Sequence, residues 1–154
     1  VTGSSTGRFT LAPSPIHDGW LDFHAPGEAA YNRAVLGPTR LRGEGPATVR
    51  VRIEPGPQLA NSSGVVHGGA LLGLIDLSLF GALMLLTGRD PTDAITLDLT
   101  NQFIAPGAMD RPIDAVVERL RETGRLVFLR GVVEQEDTLV CAFQATVRKL
   151  GRSA

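Results

Sequence analysis

Residues 61–87 read NSSGVVHGGALLGLIDLSLFGALMLLT, and this stretch decides the architecture. A polar loop carrying Gly64 runs into an apolar segment in which Asp76 is the sole charge between His67 and Arg89. The segment reads as a helix that starts near His67 or Gly68 and ends near Thr87–Gly88, with glycine as the stop and Pro91 beyond it. At about 1.5 Å per residue such a helix is about 30 Å long. A helix apolar on every side is expected to be enclosed, with Asp76 buried in its middle.

The stretches on either side say what encloses it. Upstream, Ala47–Glu54 alternates Val49, Val51 and Ile53 with Arg50, Arg52 and Glu54, the pattern of a strand with one wet face. Gly43–Pro46 is a turn signal, and the segments flanking Gly45 read as a hairpin. Ala34–Arg42 reads as a weaker strand broken near Gly37-Pro38, Asp18–Arg33 as mixed with a short helix, and residues 1–17 as loop. Downstream, Ala94–Ile104, Pro112–Glu122, Leu126–Gln135 and Thr138–Lys149 read as four strands joined by short turns. Antiparallel strands with one segregated helix make an α+β domain, here a curved sheet around the helix. The expected organisation is a flexible leader over residues 1–17 and a single domain over 18–150.

Composition narrows the partners. The chain has 154 residues, a net charge of -1 and 43% hydrophobic residues, which fits one ordinary globular domain and gives no polyanion-binding surface, so nucleic acid is not expected. A single cysteine, Cys141, excludes an internal disulfide and suits a reducing cytoplasm; it lies in an alternating strand and reads as core. Three histidines without an H-x-x-x-H pair argue against a metal site. The apolar stretch is long enough to raise membrane insertion. Asp76 and the glycines at 68, 69, 73, 81 and 88 argue against it, a central acid alone costing roughly 2.5 to 3.5 kcal/mol.

Asn61, Gly64, His67, Gly68 and Gly69 cluster at the mouth of the helix. The first amides of a helix lack internal partners and carry partial positive charge, and glycine lets a ligand come close. Neither glycine-rich phosphate motif is present, so a carbonyl oxyanion is the better occupant than a phosphate. Asp76 reads either as a packing acid held by Ser78 or a strand threonine, or as a general base or nucleophile. His67 reads as a capping residue or as a contact to Asn61 or a leaving group. Gly68 and Asp76 are eight residues apart, about 12 Å along the axis and about 80° around it, too far for both to reach one carbonyl carbon. If they act together, the acid comes from a second copy of the helix, which predicts a homodimer with two composite sites.

The pattern N-x-x-G-x-x-H-G-G-x-x-x-x-L-x-D, carried here by Asn61, Gly64, His67, Gly68, Gly69, Leu74 and Asp76, resembles the PaaI-like hotdog-fold acyl-CoA thioesterases. The segments ITLDLTNQFIAPG and TGRLVF that follow are similar too, so the resemblance covers roughly residues 34–149. It implies an antiparallel sheet wrapped around one long helix, and a homodimer assembled as a dimer of dimers. By position, Gly68 would polarise the thioester carbonyl and Asn61 would place it and the water. His67 would support the loop or thiol departure, and Asp76 of the partner would be base or nucleophile. Thr96 matches the family's hydroxyl residue near the acid, Gly69 belongs to the substrate loop, and Arg125 is the candidate for the phosphates of coenzyme A. No cofactor is implied, coenzyme A being part of the substrate. Two other readings compete: a non-catalytic acyl-CoA-binding module, and another acyl-thioester enzyme such as a dehydratase. A dehydratase needs an acid and histidine placed differently.

Overall fold

In the computed structural model, which describes residues 8–27 and 31–151, the apolar stretch forms a single helix, α1, over Gly68–Thr87. It contains no proline, and eight of its twenty residues are leucine, a strong helix former. His67 is its N-cap, with an extended backbone and its side chain accepting from the Gly69 N–H. Gly88 ends it in the left-handed conformation at φ 68°, where its N–H bonds the Met84 carbonyl at 2.9 Å and a side chain would be strained. Ser78, fully buried, returns its hydroxyl to the Ile75 carbonyl at 2.6 Å, so the helix buries no unsatisfied hydroxyl there.

Eight strands form one antiparallel sheet. They are β1 (Thr10–Pro13), β2 (Leu21–His24), β3 (Thr39–Gly43), β4 (Thr48–Ile53), β5 (Ala94–Phe103), β6 (Ile113–Glu122), β7 (Leu126–Gln135) and β8 (Thr138–Lys149). The order across the sheet is β1-β2-β3-β4-β6-β7-β8-β5. The helix thus leaves from β4 near the centre and delivers β5 to the far edge beside β8. The β5–β8 register slips between Thr96 and Asp98, leaving Leu97 as an extra residue. The sheet curves about α1, which packs chiefly on β4 and β6. Leu74, Ile75, Leu79 and Ala82 meet Val49, Val51, Ile113, Ala115 and Val117 in a fully enclosed core. Each large aliphatic side chain buried there stabilises the fold by about 1.5 to 3 kcal/mol. The helix passes the length and hydropathy test for a membrane span, yet it is the core of this sheet.

The outer face of β4 is an ion network. Arg50 donates to Glu44 (2.6 Å), Asp114 (2.9 Å) and Glu134 (2.7 Å), while Arg52 adds two bonds to Asp114. The Trp20 ring is flanked by the guanidinium groups of Arg42 and Arg52 at 4.6 and 4.7 Å.

Four local expectations need correcting. Asp76 is not buried in the chain: the sheet covers only part of the helix, leaving a stripe with Asp76 exposed and Leu72 37% exposed. Of Asp18–Arg33, read as mixed with a short helix, Leu21–His24 is strand β2, whose Phe23 turns into the core and stacks on Phe9 at 5.1 Å; helical backbone appears only at its end, from Asn32, and residues 28–30 lie outside the described ones. The strand expected over Ala34–Arg42 begins only after Pro38; Asn32–Leu36 is a wide π-helical turn. Of the residues read as loop at the N-terminus, Thr10–Pro13 form β1 against β2, and residues 1–7 lie outside the described ones.

Candidate active site

Two places on α1 carry chemistry. The first is its N-terminus. The loop before it is held by Asn61, whose Oδ1 accepts from Ser63 N (2.8 Å) and Val65 N (3.3 Å) while its own N–H bonds the Val65 carbonyl. Gly64 turns the chain at φ 75°. His67 is anchored by its N–H to the Leu59 carbonyl at 2.7 Å. The Asn61 oxygen is therefore spent on the loop, and its amide nitrogen is what it can offer outward.

The orphan donors of the first helical turn can be followed one by one. Ala70 N and Leu71 N both bond the His67 carbonyl, at 2.9 and 3.1 Å. Gly69 N bonds His67 Nδ1 at 2.8 Å. Gly68 N is left without a partner among the described residues. Because His67 Nδ1 accepts, a neutral imidazole carries its proton on Nε2, facing away from the cap. A Cβ added to Gly68 would touch the Phe103 ring at 3.4 Å, so the free amide lies beside an aromatic wall from the end of β5.

The second place is the exposed stripe. Thr96, near the start of β5, donates its hydroxyl to Asp76 Oδ1 at 2.7 Å. Tyr31, which the sequence reading did not single out, lies across the same helix face at Gly73. The two places stay separate within the chain: Gly68 neighbours the far end of β5 at Phe103, Asp76 its near end at Thr96. Asn61, His67, Gly68 and Gly69 are thus gathered at one end of the helix, and Asp76 with Thr96 two turns on.

Arg125 belongs to neither group. It is exposed in the turn between β6 and β7, with its carbonyl bonded to Lys149 N, and its guanidinium forms no ion pair among the described residues. The register puts the following Leu126 opposite Arg148, and Arg148 opposite Ile95, so Arg125 stands at the same end of the sheet as Thr96. Cys141 is fully buried, and burial pushes its thiol up from the usual range against a weaker opposing influence of the neighbouring Asn101 amide. No group of three or more metal-binding side chains occurs among the described residues.

Two cavities flank these places unequally. The larger, of about 600 Å³, lies on the outer face of the sheet between Thr48, Thr100, Glu118 and Gln144, across the sheet from the helix. The smaller, of about 280 Å³, reaches the helix at Leu77, next in sequence to Asp76.

The family described as the Thioesterase superfamily matches residues 63–142, just over half of the chain. No curated protein matches the chain. Among solved structures, a conserved protein of Pseudomonas aeruginosa is similar with 27% identity and a TM-score of 0.68, the match covering 79% of this chain and 94% of that one. The PaaI protein from the phenylacetic acid degradation operon of E. coli superimposes with a TM-score of 0.66 at 17% identity, over 80% of this chain and 87% of its own. A hypothetical thioesterase of Streptococcus pneumoniae, solved with coenzyme A, gives 0.67 at 19% identity, over 79% and 92%. With its long helix set in one antiparallel sheet, the chain belongs to the thioesterase superfamily and has the hotdog fold of the PaaI-like proteins.

Proposed function

We propose that the protein is an acyl-CoA thioesterase that hydrolyses R–CO–S–CoA with water to the free acid and coenzyme A, acting as a homodimer. The observation that carries the reading is the unpartnered Gly68 N–H at the head of an apolar helix. A donor fixed there, with the helix dipole behind it, is aimed at negative charge developing on a carbonyl oxygen. His67 supports this by taking up the neighbouring Gly69 amide, and the Asn61 amide nitrogen is free to orient the carbonyl or the water.

Asp76 is the acid-base group. Its bond from Thr96 fixes one carboxylate oxygen and leaves the other for a water or for direct attack on the thioester. Since Gly68 and Asp76 of one helix are about 12 Å apart, the carbonyl on Gly68 meets the Asp76 of a second copy. Two features favour that copy. The stripe bearing Leu72 and Asp76 is open, and β5 is a ten-residue edge strand with exposed Ile95 and Leu97. Long apolar edges are normally paired or covered. The outer face of the sheet remains for a dimer of dimers.

Coenzyme A is the thiol we assign, supported by the relative solved with it, and Arg125 is the residue we assign to its phosphates. A lone buried thiol and this substrate fit a cytoplasmic protein. The test is a panel of acyl-CoAs assayed with a thiol-detecting reagent. Release that vanishes in Asp76→Ala supports the reading. Tight acyl-CoA binding with no thiol release would make the protein a binding module instead.

A further inference from the structure

Tyr31 lies on α1 where only glycine lets it. A Cβ at Gly73 would stand 2.7 Å from Tyr31 Oη and 2.9 Å from its Cε1. Gly73 is about 60° around the helix from Asp76 in one direction and about 40° from Leu77 in the other, within one turn of both. Asp76 faces the open stripe, whereas Leu77 forms a wall of the 280 Å³ cavity together with Phe23, His24, Asn32, Arg33 and Thr39. Tyr31 is not itself among the residues that line the cavity, but its ring rests about one turn from both the carboxylate and the Leu77 wall, and it is next in sequence to the lining Asn32.

We infer that Tyr31 selects the acyl group: its ring, resting on Gly73, is the rim past which the acyl part of a thioester held at Asp76 enters this cavity. The inference rests on the proposed thioesterase reading and adds the substrate class. At about 30 Å³ per water, the cavity holds about nine waters' volume, room for a ring or chain of about six to eight carbons. Phe23 and Leu77 favour an apolar body, while His24, Asn32 and Arg33 on the remaining walls accept a polar substituent. Tyr31 is 51% exposed, so the core does not depend on it.

The test uses coenzyme A ketones in which a methylene separates sulfur from carbonyl, so that nothing is hydrolysed. Acetyl, hexanoyl, benzoyl and dodecanoyl forms are titrated by calorimetry into wild type, Tyr31→Phe, Tyr31→Ala, Gly73→Ala and the Tyr31→Ala/Gly73→Ala double variant. Wild type is expected to bind the hexanoyl and benzoyl forms roughly tenfold more tightly than the other two. Tyr31→Phe keeps that profile. Tyr31→Ala raises dodecanoyl relative to hexanoyl by about fivefold or more, with coenzyme A itself unaffected. Gly73→Ala pushes the ring off its seat and alters the profile alone, but has no effect once Tyr31 is alanine. Identical relative affinities in all five proteins overturn the inference, as does equal loss of every ligand including coenzyme A. A shifted profile in a protein that releases no thiol from acyl-CoAs would keep the inference and remove the hydrolase reading. Hydrolysis with an unshifted profile does the reverse, and no binding by wild type removes both.

Discussion

Thr96 Oγ1 and Asp76 Oδ1 are 2.7 Å apart, a hydroxyl on the edge strand donating to the carboxylate on the helix. The pair is exposed in the single chain, so its bond contributes little to stability and acts mainly on where the carboxylate points. Thr96→Val is expected to lower kcat about tenfold, about 1.4 kcal/mol, with little change in KM or melting temperature. Asp76→Ala is expected to lose about 1,000-fold or more. Steady-state kinetics beside thermal melts check both; a Thr96→Val enzyme with unchanged kcat would detach the hydroxyl from the chemistry.

The Gly68 amide can be deleted with almost nothing else. Proline is well tolerated at the first position of a helix, and it favours an extended residue before it. His67 already sits at φ -63°, ψ 135°. Gly68→Pro is therefore expected to fold, with an unchanged far-ultraviolet circular dichroism spectrum, and to lose about 100- to 1,000-fold in kcat. A folded proline variant with full activity would rule out this donor as the carbonyl's partner.

If each site draws Gly68 and Asp76 from different copies, two dead variants can repair one another. Gly68→Pro and Asp76→Ala, unfolded together and refolded as a mixture, form mixed dimers in half of the cases, each with one intact site. About a quarter of wild-type activity is expected to return. Sedimentation of the same mixture checks that dimers formed, and dimers without activity would argue against the shared arrangement.

Acid stability should follow the carboxylates on arginine and lysine. The hydrogen bond from Arg50 holds Glu44 below its ordinary 4.5, burial opposing and Arg42 assisting; Lys149 does the same for Glu122. Both groups bind a proton less readily when folded than when unfolded. The stability they contribute is complete above their unfolded value of 4.5 and is lost as pH falls through the lower folded value. The melting temperature is expected to drop below about pH 4.5, and less steeply in Glu44→Gln, which starts from a lower plateau near neutrality. Parallel melts from neutral pH downward measure the slopes.

Asn101 carries an amide whose nitrogen and oxygen are both buried without a partner among the described residues. The Cys141 thiol beside it is a poor substitute. Asn101→Leu is expected to raise unfolding stability by about 1 kcal/mol, read from denaturant melts at constant m-value. Destabilisation instead would mean that the amide finds its partner in the assembled dimer.

The helix and the four strands after it were legible because their signals are long: an uninterrupted apolar run, then alternation over ten or more residues between short turns. β2 was not, since its alternation of Leu21 and Phe23 with Asp22 and His24 lasts only four residues, too short to set a period. The loop residues Asn61 to Gly69 were legible as a cluster because they are contiguous. The exposure of Asp76 was not, because an apolar composition cannot tell a helix face that the chain's own sheet covers from one left for a second copy. Tyr31 escaped for a similar reason. Nothing local joins it to Gly73, and their contact exists only once β2, the π-helical turn and α1 are packed together.

The one-residue irregularity at Leu97 has a geometric outcome. Odd spacings in a regular strand put side chains on opposite sides, and Thr96 and Phe103 are an odd number apart. Yet Thr96 touches Asp76 and Phe103 lines Gly68, both toward the helix. The surplus residue resets the parity, so a single ribbon can serve the acid with one end and the amide with the other. Excising Leu97 would leave an even spacing in a regular ladder and keep both ends toward the helix, whereas a ladder made regular with Leu97 retained would turn one of them outward and disconnect half of the apparatus without altering any residue that belongs to it.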